Sequence, residues 1–141
     1  MVVVLIIGIL LAIAIPTFLG ARERGQDVVA KTSLRNAVGA VLNIAMSGDF
    51  DPTGDPAAWL SELEGSLDWR FEQSSDGPKQ IDVAGYDNGM GFAARSESGT
   101  CFSIYGLGDQ SGYQGKLVGS QDGADPCRAA DAQAAASRAD W

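Results

Sequence analysis

The sequence predicts an α+β chain: a long N-terminal α-helix, apolar in its first half and amphipathic in its second, packed on a small antiparallel β-sheet. Three observations predict it. Residues 1–21, MVVVLIIGILLAIAIPTFLGA, carry no charged side chain. The apolar positions that follow, to about residue 46, recur at helical spacing. From residue 69 the period shortens to that of strands, with turn signals between them. The expected organisation is a helix over 1–48, of which 1–21 is the membrane or filament-core part, and a head over 49–141.

As a helix, residues 1–21 would be about 31 Å long, which matches a hydrocarbon core about 30 Å thick. A soluble core helix has one apolar stripe, whereas this run is apolar on every side. A cleaved secretory signal fits poorly, because no basic region precedes Val2 and the helical pattern runs past Gly20 without a clear cleavage site. Val2, Val3, Val4, Ile6 and Ile7 are β-branched, which mildly disfavours helix in water. In lipid that penalty yields to the need to satisfy every backbone N–H and C=O within the segment. Pro16 cannot donate to the Ala12 carbonyl, and Gly8 is a second weak point. The stretch from Gly8 to Pro16 is therefore either a simple kink or a helix able to open locally.

After the polar residues Arg22 to Asp27, Val28, Leu34, Val38, Val41 and Ala45 fall near one helical face, with Leu42 beside them. Lys31, Arg35, Asn36 and Asn43 lie mostly elsewhere. Ser47 and Gly48 end the helix. Asp55 before Pro56 marks a second helix start, and Gly65 its stop, with Trp59, Leu60 and Leu63 on the apolar side. Strands are expected at 69–73, 79–87, 89–97 and 100–107, and Asp87-Asn88-Gly89 is a hairpin signal. Together they make a meander of three or four antiparallel strands with one face open to the helix. Residues 119–127 read as loop, and the alanine-rich tail from Arg128 as a potential helix.

The charge is segregated. Residues 1–35 hold four basic groups (Arg22, Arg24, Lys31, Arg35) and two acids (Glu23, Asp27), while the remainder holds six basic and sixteen acidic groups, a net of −10. So acidic a head repels a phosphate backbone, and general nucleic-acid binding is not expected. The absence of His removes the commonest general base and metal ligand. Cys101 and Cys127 suit one disulfide, with two free buried thiols as the alternative. The bond would close a loop worth about 3.5 kcal/mol on the chain-entropy model. It would also place the head in an oxidising compartment outside the cytoplasm. Arg22 and Arg24 after the apolar run would by the positive-inside rule put that end in the cytoplasm. The two signals agree if a basic segment precedes Met1.

The run MVVVLIIGILLAIAIPTFLGARER, with glycine and proline at Gly8 and Pro16, resembles the N-terminus of type IV pilins and of their relatives, the pseudopilins of type II secretion. The resemblance is specific over about the first 25 residues; over the head it is architectural. It implies the pilin fold and a structural subunit that polymerises into an extracellular filament, with a pseudopilin as the alternative. The filament core would be built from Val2, Val3, Val4, Leu5, Ile6, Ile7, Ile9, Leu10, Leu11, Ile13 and Ile15. It implies a helix that melts between Gly8 and Pro16 in the fibre, and a C-terminal region closed by the Cys101–Cys127 bond. It implies residence in the cytoplasmic membrane, head outside, before assembly by an ATPase and a membrane platform protein. No cofactor, metal or catalytic residue is implied. In the family a basic leader cut by a prepilin peptidase, a methylated phenylalanine and a glutamate precede the methionine matching Met1. The expectation is that this sequence is truncated or begins at an internal methionine.

Three other classes are weighed against this reading. A tethered enzyme would need a convergent set of groups, but there is no His, no G-x-S-x-G and no lysine-bearing phosphate loop, and Glu62 with Glu64 reads as a solvated pair. Asp49, Asp51, Thr53, Gly54 and Asp55 follow the first half of a calcium loop, but the twelfth position is Leu60. An anchored adhesin or receptor could use Trp59, Trp69, Tyr86, Tyr105, Tyr113 and Trp141, though such aromatics more often form core or subunit contacts.

Overall fold

Helix α1 runs unbroken from Val2 to Ser47, through both Gly8 and Pro16. It is followed by α2 (Pro56–Leu63), β1 (Asp68–Phe71), β2 (Gln80–Tyr86), β3 (Gly89–Arg95), β4 (Thr100–Asp109) and β5 (Gly112–Asp122). A 3-10 turn, Ala129–Asp131, then leads into α3 (Ala132–Ala135). The computed structural model describes residues 1–47, 56–86, 89–109, 112–123 and 125–135. Asp55 and the potential calcium loop at 49–55 lie outside these residues, as do Asp87, Asn88 and Trp141; the side chains of Ala45, Trp59, Leu63 and Tyr113 are likewise outside the description.

The α+β class is as the sequence predicts, but the sheet is mixed rather than purely antiparallel. Its five strands lie in the order β1-β2-β3-β4-β5. β2 through β5 pair antiparallel, with Tyr86 opposite Gly89 at the β2–β3 hairpin. β1 pairs parallel to β2, Asp68 opposite Gln80 and Phe71 opposite Val83. The chain must therefore travel back between them, and it begins to turn at Glu72, whose φ of 52° lies in the left-handed region. Ser75 pins this return loop: its hydroxyl donates to the Gln80 carbonyl at 2.7 Å and accepts the Arg95 N–H at 3.0 Å. β5 was expected as loop at residues 119–122. Its sequence, GYQGKLVGSQD, is poor in β-branched residues, and its order comes from a ten-residue partner, β4.

Alternation along the strands gives the sheet two covered faces. Ile81, Val83, Phe92, Ala94, Phe102, Ile104 and Val118 point to the front and meet Ala30, Leu34, Ala37, Val38 and Val41 of α1. Leu42 packs at the edge of this core, and α2 adds Ala57 and Leu60. Val28 does not join this face, contrary to expectation; it is 59% exposed, because its helical phase points it away from the side of α1 that buries Ala30, Leu34, Ala37 and Val41. Trp69 is buried, and its indole N–H donates to the Glu64 carbonyl at 3.0 Å.

The back face holds Ala84, Ala93, Cys101 and Tyr86, covered by Cys127 and Ala129. Cys101 and Cys127 are joined in a disulfide with Cα atoms 5.5 Å apart. Tyr86 and Tyr105 meet edge to face at 5.2 Å, and the Tyr86 hydroxyl donates into the 3-10 turn, 2.8 Å from the Ala129 carbonyl. The C-terminal segment lies very close to the strands. A Cβ on Gly91 would sit 2.5 Å from the Ala129 carbonyl oxygen and 3.2 Å from the Ala132 Cβ, so glycine is required there.

Asp82 ties this back layer down. It is fully buried, and its carboxylate accepts the Gln73 N–H at 2.9 Å and the Ala129 N–H at 2.7 Å. One side chain thus links β2, the return loop and the C-terminal turn. Burial raises its pKa above the ordinary 3.8, against the lowering effect of the Ala129, Gln73 and Val83 N–H groups and the Arg128 charge.

Two outcomes are expected of the back layer. Gly91→Ala should cost about 1–3 kcal/mol in urea unfolding. Gly85→Ala, where an added Cβ meets nothing within 4 Å, should be neutral or stabilising; equal effects at the two sites would contradict the packing. For Asp82, a raised folded pKa means that the folded chain holds the proton to higher pH than the unfolded chain. Its contribution is therefore full below 3.8 and declines as pH rises through the folded value. Melting temperatures of the native chain and Asp82→Asn, compared from about pH 3 to about pH 7, should show the native chain's relative stability falling with pH. A relative stability that rises with pH would mean the carboxyl is depressed instead.

Candidate functional site

The same helix is two different objects along its length. From Ala30 onward one face is buried in the head. From Val2 to Ile15 every large apolar side chain (Val2, Val3, Val4, Leu5, Ile6, Ile7, Ile9, Leu10, Leu11, Ile13 and Ile15) is between 50% and 71% exposed. Phe18 and Leu19, one turn further on, are exposed as well. Side chains around the full circumference of a helix reach such values only where nothing packs on any side. This is one helix near the N-terminus that is long and apolar enough to cross a membrane, and none of its apolar window is buried in the head.

Gly8 and Pro16 both sit within this exposed half. A Cβ built on Gly8 meets nothing within 4 Å, so no packing among the described residues calls for glycine. In an unsupported helix that glycine costs about 1 kcal/mol relative to alanine. The backbone at Pro16 is helical although proline brings no N–H for the Ala12 carbonyl. The disulfide is elsewhere, on the back face of the sheet, whereas α1 lies on the front; the structure does not bring the cysteines and the exposed rod together.

The junction between rod and head is polar and specific. Gln26 donates to the Glu97 carboxylate at 3.0 Å, and the Ser98 hydroxyl donates to Asp27 at 2.6 Å, so the β3–β4 turn is fastened to the helix. Thr100 donates onward to Asp122 at 2.9 Å. One turn higher the Lys31 ammonium lies 4.7 Å from the centre of the Phe102 ring. Just below the junction Arg22, Glu23 and Arg24 project outward, all exposed. The sequence showed these charges but not that Asp27 and Gln26 are spent on the head while Arg22 and Arg24 are not.

Among the described residues no three His, Cys, Asp or Glu side chains converge as metal ligands. Glu62 is exposed, and Glu64 accepts the Ser66 hydroxyl at 2.5 Å rather than facing a second carboxylate. Of the six aromatics weighed as a binding face, Trp69 and Tyr105 are buried in the head and Tyr86 is half-buried against its C-terminal turn. Asp82, which no motif marked, is surrounded by backbone N–H groups and serves the fold. The distinctive chemical surface is thus the apolar rod with its charged collar. Comparison of the chain with protein-family models, with curated proteins and with solved structures found no match.

Proposed function

We propose that this chain is a structural subunit that polymerises through its N-terminal helix into an extracellular filament of the type IV pilin kind. The observation that carries the reading is the contrast along α1: one continuous helix, embedded in a head at one end and apolar and exposed all round at the other. Before assembly the rod resides in the cytoplasmic membrane, with the disulfide-bonded head on the oxidising side. On assembly it passes from acyl chains to the rods of other copies, so its surface never meets water. An assembly ATPase and a membrane platform protein drive that transfer, and a prepilin peptidase acts upstream; these partners come with the family resemblance.

Under this reading the weak points gain a purpose. In the fibre, residues 8–16, or part of that span, give up α-helical hydrogen bonds and extend, because Gly8 loses the most backbone freedom in a helix and Pro16 closes no bond to Ala12. Neighbouring copies then hold the opened segment away from water.

Full-length chain freed of detergent, or cells producing it with an assembly apparatus, should yield thin uniform fibres by electron microscopy. Leu10→Lys should abolish the fibres while leaving the melting of the head unchanged, because Leu10 is 62% exposed and the head does not cover it. Chains that stay dispersed under every assembly condition would contradict the reading. Separately, Gly8→Ala combined with Pro16→Ala should stiffen the fibre. An unbroken helix through residues 8–16 in the native fibre, with extensibility unchanged in the double variant, would reject local melting.

A further inference from the structure

Arg22 and Arg24 stand between the apolar rod and the head, exposed, with no ion pair or hydrogen bond among the described residues. The neighbouring polar residues of α1 are engaged: Gln26 and Asp27 with the β3–β4 turn, Lys31 over Phe102. Beyond residue 35 the chain carries six basic and sixteen acidic groups. Among the acids, Glu62, Glu72, Asp76 and Asp131 are exposed. Copies of such a head brought side by side repel one another. Two cations that could relieve this, Arg22 and Arg24, lie on the helix below the chain's own head.

We propose that Arg22 and Arg24, which point to nearly opposite sides of the helix, form a collar that docks against the acidic heads of neighbouring copies of this chain. The inference rests on the polymer reading above. Rods lying side by side with an axial offset place one copy's head beside another copy's collar, because the collar directly adjoins the head on the N-terminal side. Val28 and Val29, 59% and 45% exposed, extend the docking surface with an apolar patch that the chain's own head leaves open. Charge complementarity selects a second copy: the collar, with Glu23 between its arginines, keeps a net positive charge, and the head of the same chain carries a net negative one. The contact fixes the offset between neighbours, which the featureless rod alone cannot do.

The test is assembly of the full-length chain in parallel with Arg22→Gln/Arg24→Gln and Arg22→Lys/Arg24→Lys, read by sedimentation and microscopy at salt from about 50 to about 500 mM. The native chain should lose about tenfold in fibre yield across that range as screening sets in. The glutamine variant should give low yield even in dilute salt, with little further salt dependence, and the lysine variant should restore most of both. Fibre yield and salt response unchanged in the glutamine variant would overturn the collar while leaving the polymer reading intact. No fibre from the native chain at any salt would overturn both. A second arm measures co-sedimentation with phosphatidylglycerol and phosphatidylcholine vesicles. If the arginines govern binding to the anionic vesicles but not fibre yield, the collar is a lipid-headgroup anchor and the proposal fails.

Discussion

The constraint on which the rest depends is the uncovered half of α1. At least eleven large apolar side chains there are half exposed or more. Covering each is worth about 1.5–3 kcal/mol, so the total is of order 15–30 kcal/mol. That exceeds the roughly 5–15 kcal/mol by which a whole domain is usually stable. The head cannot supply the cover, because its front face is already filled by Ala30 to Val41 of the same helix and its back face by the C-terminal segment. None of the described residues covers that half of the helix; on the proposed reading the cover comes from outside, first from lipid and later from its own copies.

The head is built to hold a rigid grip on this helix. Its front core locks one face of α1, and the Gln26–Glu97 and Ser98–Asp27 bonds fix where along the helix the head begins. The back layer makes the sheet itself stiff: the Cys101–Cys127 bond, the Tyr86 hydroxyl and the buried Asp82 carboxylate all fasten the C-terminal segment across β2, β3 and β4. A force or torque on the rod would thus be passed to the head without the head sliding on its helix.

Much of this was legible in the sequence. The helix, its apolar first half, the second helix from Pro56 and the β2–β3 hairpin all have strong local signals in periodicity, capping and turn residues. The failures have a common physical origin in long-range contacts. The end of β5, residues 119–122, reads as loop because glycine and polar residues dominate it; it is strand because β4 offers an edge. The parallel pairing of β1 depends on Ser75 reaching Arg95, twenty residues away in sequence. The back-face layer was the least visible. Period-two alternation puts Asp82, Ala84 and Tyr86 on the face opposite Ile81 and Val83, and in a sheet covered on one side that face would be wet. Only the return of residues 127–135, close enough to demand glycine at 91, turns it into a second core. Val28 was misplaced by its phase: the helix turns it away from the side that buries Ala30, Leu34 and Val41, although the head already reaches Gln26 and Asp27 beside it.

The rod's proposed change of environment can be read directly with a nitroxide spin label at position 10, in the middle of the apolar half. In dilute bilayers the label should be accessible to oxygen dissolved among the acyl chains and magnetically isolated. In fibres it should lose that accessibility and show strong coupling between copies, as helices packed about 8–10 Å apart require. A label that stays isolated and open to lipid or water in every assembled state would contradict the account.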